Sequence, residues 1–353
     1  MVVDDNEFSS VFDPQITEDH VDTPYGKVYC TFAGFSKPNR PIILTYHDIG
    51  LNHKMCFESF FNHEDMQEIA RHFAVLHVNA PGQHEGAVTL ASEYTYPSLD
   101  QLSETLPIVL KHFGFTSVIG LGVGAGANIL TRFALNYPDL IEGLVLININ
   151  ANAEGIVDSV TSKITGWTQT VTETVIAHLF GKKEIENNHD LIATFRHDIM
   201  TYMNESNVAQ FLRSYNGRQA LDLKRPVPGG NLSGKTLKCS SLLIAGDDSP
   251  SLEVVVDCNY KLDPTRTTLL KMADCGGLPQ VDQPAKLTEA LKYFIQGLGY
   301  MPSACMTRLS RSRTASASSP GARRPKEESR ARSHTDVSAD GGGGAMETKP
   351  VVC

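Results

Sequence analysis

A chain of 353 residues, 41% hydrophobic, 8% aromatic and 20% charged, has the composition of an ordinary soluble globular protein and enough apolar material for one large core or two modest ones. Its net charge of −9 is uneven: from Cys305 onward nine Lys/Arg face five acids, a net of +4, which leaves −13 on the body. An acidic body excludes nucleic acid as a partner of the folded part, because phosphate contacts need a basic face. No stretch approaches the roughly 18 to 20 apolar residues of a bilayer span, and Met1-Val-Val-Asp-Asp-Asn-Glu7 has neither a basic nor an apolar leader region, so neither a membrane span nor secretion is expected. The seven cysteines (Cys30, Cys56, Cys239, Cys258, Cys275, Cys305, Cys353) form no CxxC or Cys/His ligand spacing. Reduced cytosolic thiols, no metal, no cofactor and unused sequons at Asn204 and Asn231 are the expectation.

In chain order, residues 1–24 read as an N-terminal segment, and 27–32 alternate like a half-exposed strand. Continuous apolar runs follow at 41–47, 73–78, 117–122, 144–149, 240–245 and 267–272, the signature of strands covered on both faces. Segments with apolar residues three and four apart predict helices at 57–72, 98–112, 127–136 and 284–296. Alternating strand and helix with short connections predicts right-handed crossovers and a doubly wound, mostly parallel sheet spanning 25–302. One interval, about 151–225, has no strand pattern and reads as amphipathic helices at 157–168 (containing Trp167, the only tryptophan), 170–180, 189–203 and 208–215. Such an insertion is a cap over the carboxyl edge of the sheet, where open α/β sheets keep their sites. Between Ser310 and Ser338 the chain offers Ser, Arg, Ala, Pro and Gly with almost no aliphatic residue, then Gly341-Gly-Gly-Gly344, so 303–353 is expected to be disordered.

The expected fold is therefore the α/β-hydrolase fold, and its chemistry can be tested position by position. A hydrolase of this architecture holds its nucleophile in a strand-to-helix turn, G-x-S-x-G, whose small neighbours let the turn close. Here the turn reads Gly122-Val-Gly-Ala-Gly126, between the run at 117–122 and the helix at 127, with Gly124 at the nucleophile position. A dinucleotide fingerprint would need an early first strand and a following ribose-binding acid; this turn follows the third large strand instead.

The stretches Ile43-Leu-Thr-Tyr-His-Asp-Ile-Gly-Leu-Asn-His53, Glu64-Asp-Met-Gln-Glu68, Val78-Asn-Ala-Pro-Gly-Gln83, Val118-Ile-Gly-Leu-Gly-Val-Gly-Ala-Gly126, Lys271-Met-Ala-Asp-Cys-Gly-Gly-Leu-Pro-Gln280 and Met301-Pro-Ser-Ala-Cys-Met-Thr-Arg-Leu309 closely resemble the N-myc downstream-regulated (NDRG) protein family, over about 19–319. Arg311-Ser-Arg-Thr-Ala-Ser316 and Ser329-Arg-Ala-Arg-Ser-His-Thr-Asp336 resemble most its stress-responsive founding member, whose tail repeats a similar unit that occurs once here. The resemblance implies a non-catalytic adaptor or scaffold linked to stress response, differentiation, growth control and vesicle trafficking. It implies a cytoplasmic protein with peripheral association at endosomal or plasma membrane, the nucleus being left open as a further compartment.

The remaining triad positions point the same way. The acid commonly follows a late strand as G-[D/E]-x-D; Gly246-Asp-Asp-Ser249 puts Ser249 there, with Asp248 one residue off as a conceivable substitute. The histidine should follow the last strand as G-H-x-P, where this chain has Gly277, and no histidine lies between His197 and His334. The oxyanion loop, often H-G, reads His47-Asp48, which sets a carboxylate beside the spot where negative charge would develop. His47, Asp48 and His53 either form a constellation around a ligand or simply hydrogen-bond the loop and cap the next helix. His77, Met200 and Met203 read as core.

In the tail, Arg311-x-Arg313-x-x-Ser316 and Arg330-x-Arg332-x-x-Thr335 place two arginines before a hydroxyl, a spacing that suits basophilic Ser/Thr kinases with an acidic groove. Between Arg308 and Arg332 eight basic residues face two acids, so anionic lipid is a second candidate partner of the tail, and a merely solubilising tail is the alternative. Three function classes stand open: an adaptor binding protein partners through cap and tail, a cryptic hydrolase with displaced residues, and a lipid or small-ligand carrier with its pocket under the cap.

Overall fold

The apolar runs pair into one eight-stranded sheet. The computed structural model describes residues 16–37, 40–153, 170–226 and 236–301, and within these the strands are β1 (Ile16–Thr23), β2 (Gly26–Ala33), β3 (Ile42–Tyr46), β4 (Val75–Asn79), β5 (Val118–Val123), β6 (Ile141–Ile147), β7 (Ser240–Gly246) and β8 (Thr267–Met272). Their order is β1-β2-β4-β3-β5-β6-β7-β8. β1 pairs antiparallel with β2 and β2 antiparallel with β4, and every other neighbouring pair is parallel. The central strands β3 and β5 are buried along their whole length, which is why they read as unbroken apolar runs rather than alternating ones.

The sheet begins earlier than residue 25. Ile16–Thr23 lies inside the segment set apart as N-terminal, yet it pairs with β2 from Ile16 opposite Ala33 to Thr23 opposite Gly26. As an edge strand it carries Glu18, Asp19, His20 and Asp22 and buries only Val21, so it shows no hydrophobic period.

Helices α1 (His53–Phe61), α2 (Glu64–Ala70), α3 (Leu99–Phe113) and α4 (Ala125–Asn136) cross between the early strands. The single helix expected at 57–72 is two, because Asn62 ends the first and the His63 Nδ1 accepts from the Asp65 N–H at 3.3 Å to start the second. Helix α3 begins in a Ser98/Gln101 capping box and ends on Gly114 at φ +75°.

Between β6 and β7 the described residues contain helices and no strand: α5 (Val171–Leu179), α6 (Lys182–Asn187), α7 (His189–Tyr202) and α8 (Glu205–Asn216). The expected helix at 157–168, with Trp167, lies outside the described residues, as do the tail hydroxyls Ser316 and Thr335 and all of 303–353. After β7 come α9 (Leu252–Tyr260), α10 (Pro279–Asp282) and α11 (Pro284–Gly297). One core assignment fails: Met200 is 62% exposed, whereas Met203 is buried. The two would share a face of a continuous helix, but α7 stops at Tyr202 and extended backbone at Met203 turns that side chain inward.

Candidate functional site

The turn after β5 has the geometry that its glycines allow. Gly124 sits at φ +53°, ψ −110°, strained ground for any side chain, and its N–H donates to the Ile147 carbonyl at 2.9 Å. A Cβ at Gly122 would overlap the Ala127 backbone and one at Gly126 the Tyr46 carbonyl, so α4 can follow β5 and lie against the end of β3 this closely only without them. The elbow is intact, and the space above it is occupied. A Cβ at Gly124 would overlap the carboxylate of Asp48.

Asp48 is 2% exposed and every contact of its carboxylate is specific. Oδ1 accepts from the Ile49 N–H at 2.7 Å and from the Ala125 N–H at 2.8 Å. In a hydrolase of this fold the N–H after the nucleophile and an N–H from an earlier loop at the same edge of the sheet make the oxyanion hole. Ala125 also opens the 12-residue helix α4, whose dipole favours an anion there. The carboxylate expected beside the oxyanion position therefore lies in it. Oδ2 meets Nε2 of His178, from cap helix α5, at 2.9 Å.

His47 turns elsewhere. Its Nδ1–H donates to the Asp48 carbonyl at 2.8 Å and its Nε2 accepts from the Ala80 N–H at 3.0 Å, which assigns one neutral tautomer and ties the β3 loop to the β4 loop. Burial pushes its pKa down to about 4. His53 reaches Asn79 Oδ1 at 3.2 Å, while Asn52, not a histidine or Asp48, caps α1. His47, Asp48 and His53 thus each serve a different set of partners. His77, stacked against Phe57 and bonded to the Thr45 hydroxyl at 2.7 Å, is driven by burial to about 3.

Ser249 and Gly277, expected at the acid and histidine positions, are linked through a residue that sequence reasoning missed. Ser249 donates to Asn148 Oδ1 at 3.0 Å, and Asn148 Nδ2 donates to the Gly277 carbonyl at 2.6 Å. Asn148 ends β6 at φ +54°, a conformation that Asn tolerates better than most side chains; an asparagine directly after an apolar strand was the available signal. Asp248 points away, pairing with cap Lys183 at 2.6 Å on the surface.

Cap residues occupy the space around the last loop. A Cβ at Gly277 would overlap the Leu179 carbonyl, at the end of α5, and one at Gly276 would overlap the Glu184 carboxylate. Glu184 in turn accepts from the Gly277 N–H at 2.8 Å and the Gly181 N–H at 3.0 Å, with its pKa raised by burial. Val175 packs into the space a side chain at Gly50 would take. Farther along, Asn207 Nδ2 donates to the Gly82 and Val88 carbonyls at 3.0 and 2.9 Å, and Ser214 to the Pro97 carbonyl at 2.7 Å. Buried Arg132 on α4 donates to Asn128, to Asp100 at 2.6 Å and to the Gln219 carbonyl, fastening the elbow helix to the chain leaving the cap. His178 was the other residue missed: no motif announces a histidine supplied by an insertion.

Among the described residues no His/Cys/Asp/Glu group is arranged to hold a metal ion, and the cysteines Cys30, Cys56, Cys239, Cys258 and Cys275 are free. No helix among them is long and apolar enough to cross a membrane.

Strand order, elbow and cap together define an α/β-hydrolase fold. The solved structures it resembles carry the same conclusion: an esterase from Thermogutta terrifontis at TM-score 0.59 and 18% identity, covering 80% of this chain and 99% of that one, and an enol-lactonase from Burkholderia xenovorans at TM-score 0.60 and 15% identity, covering 79% and 100%. At these identities the likeness concerns the fold alone. Within that fold the chain belongs to the Ndr family, whose model matches residues 18–302. It is 57% identical to Protein NDRG1 of Xenopus tropicalis over 90% of this chain and 80% of that protein, and 55% identical to Protein NDRG3 of Xenopus laevis over 92% and 85%.

Proposed function

We propose that this protein is a non-hydrolytic member of its fold that works as an adaptor, with the cap closed on the former catalytic edge and its outer surface and tail available to protein partners. The observation that carries the reading is the position of Asp48. An oxyanion forming at the elbow would have to share two N–H donors with a carboxylate that already holds them, so the term that usually lowers the barrier most would raise it. Gly124, Ser249 and Gly277 offer no nucleophile, acid or imidazole at the triad positions. His178 could serve as a displaced base for a cryptic hydrolase, but its Nε2 is engaged by the Asp48 that fills the oxyanion pocket. A carrier with its pocket under the cap is disfavoured because cap atoms occupy the space at Gly50, Gly276 and Gly277.

The test is direct. The purified protein is expected to turn over no ester, lactone or epoxide and to take up no serine-directed fluorophosphonate; stoichiometric labelling at any residue near the elbow overturns the reading. Regulation by basophilic kinases at Ser316 and Thr335, roles in stress response, differentiation, growth control and trafficking, and a cytoplasmic place with peripheral membrane attachment belong to the same proposal. Each Lys or Arg near an anionic leaflet is worth about 1 kcal/mol, and each phosphate adds about −1.5 to −2 charges. Unmodified protein is therefore expected to co-sediment with anionic liposomes at low salt and the doubly phosphorylated form to be released; equal binding, or none, removes the lipid partner.

A further inference from the structure

The oxyanion pocket has lost its reaction but keeps the features that recognise an anion. Two N–H groups converge on one point, one of them at the start of a 12-residue helix, and an imidazole from the cap approaches the same carboxylate from the other side. That point is held by the chain's own Asp48, whose side chain is a carboxylate on a single methylene and so stands where a free carboxylate ligand would. We propose that Asp48 is the built-in ligand of this pocket, and that through His178 it latches the cap shut, so that the cap opens only when the contact between carboxylate and imidazole breaks. The proposal rests on the non-hydrolytic reading, to which it adds the chemical class the pocket recognises, a carboxylate, and a regulation of the cap by the chain's own one.

Three features support a latch rather than an ordinary buried acid. The Asp48 carboxylate bonds at once to its own loop, to the elbow helix and to the cap, three elements far apart in sequence. His178 is on the helix that also carries Val175 into the hollow at Gly50 and ends with the Leu179 carbonyl against Gly277, so a shift at His178 is transmitted to both. Among the described residues the groups around the pair are the His47 imidazole, which donates to the Asp48 carbonyl at 2.8 Å, the buried Cys56 thiol, and the Tyr215 ring, whose centroid lies 5.9 Å from that of His178 with the Arg218 guanidinium 3.8 Å above it. A carboxylate hydrogen-bonded to a helix N-terminus on one side and to a cap helix on the other is an arrangement in which one side chain can hold the cap in place.

Truncation with chemical replacement tests it on the full chain. Asp48→Ala removes the carboxylate and leaves a hole the size of formate. Its melting temperature is expected to fall by several degrees, and protease cleavage within the cap, which tracks the open population, to rise about tenfold. Formate at tens of millimolar should reverse both changes, while sodium chloride at equal ionic strength should not, and the parent protein, its pocket already filled, should respond to neither. Loss of stability without rescue, rescue by chloride as well, or no loss at all overturns the proposal.

If Asp48→Ala does not fold, His178→Gln gives the answer. Hydrogen exchange across Val171–Leu179 should accelerate while the amide of Ala125, still bonded to Asp48, stays protected; unchanged exchange in α5 overturns the latch. None of these outcomes bears on whether the parent protein hydrolyses esters, so failure of the latch and failure of the non-hydrolytic reading remain distinguishable.

Discussion

The two ends of the candidate site are closed in different ways. At the elbow the core closes itself: the obstacle over Gly124 is the Asp48 side chain, which has rotamers and can be truncated. At the last loop the obstacle over Gly277 is main chain, the Leu179 carbonyl of the cap, backed by the Glu184 carboxylate. A side-chain obstacle can move within a fixed fold, whereas a main-chain obstacle moves only with its helix. The elbow should therefore be the repairable end.

Gly277→His puts that contrast to its hardest test. The new Cβ cannot coexist with the Leu179 carbonyl, so either the cap lifts or the protein unfolds, and a loss of about 4 kcal/mol or more in denaturant unfolding is expected. A variant within about 1 kcal/mol of the parent would show that the cap is not seated on this loop as described.

Gly124→Ser comes next, at about 3 kcal/mol, from the overlap with Asp48 and from a non-glycine residue at φ +53°. No esterase activity should appear, because Ser249 and Gly277 still supply neither an acid nor an imidazole. Adding Asp48→Gly should make the double variant no less stable than Gly124→Ser alone, since the second change removes the obstacle to the first. Additive losses in that cycle would mean that the two residues do not share the space.

The smallest effect is set by pH and lies in the core, away from either closure. His47 and His77 are neutral when folded, with pKa values pushed down to about 4 and about 3 from the ordinary 6.5. Below pH 6.5 the unfolded chain takes up protons that the folded chain refuses, so stability falls as the pH drops from about 6.5 toward 4. Between pH 7.5 and 5.5 each histidine should remove about 1 kcal/mol, and His77→Gln should flatten that slope by its share. A slope unchanged in the variant would show that His77 is not a buried neutral imidazole.

Much of this fold is legible in the chain because parallel strands covered on both faces have no polar face to show. The runs at 117–122 and 240–245 are of that kind, and they match β5 and β7 to within a residue or so. β1 was not legible for the opposite reason: an edge strand of Glu, Asp and His takes its order from a neighbour's hydrogen bonds, not from its own pattern. α6 and α9 escaped notice because one is a short run of Lys, Glu and Asn and the other is Val-rich, with little to separate it from a strand.

The same division runs through the site. Residue pattern alone placed Gly124 in a strand-to-helix turn and Ser249 and Gly277 in the loops after the last two strands, because unbroken apolar runs mark the strands and the loops follow them. That Asp48 lies in the oxyanion pocket, that an imidazole reaches it from 130 residues away, and that Asn148 joins Ser249 to Gly277 were decided only by tertiary structure. The physical reason is that hydrogen bonds and close contacts depend on separation in space, and the cap, an insertion with no fixed register to the sheet, brings its groups to the site only when its helices pack.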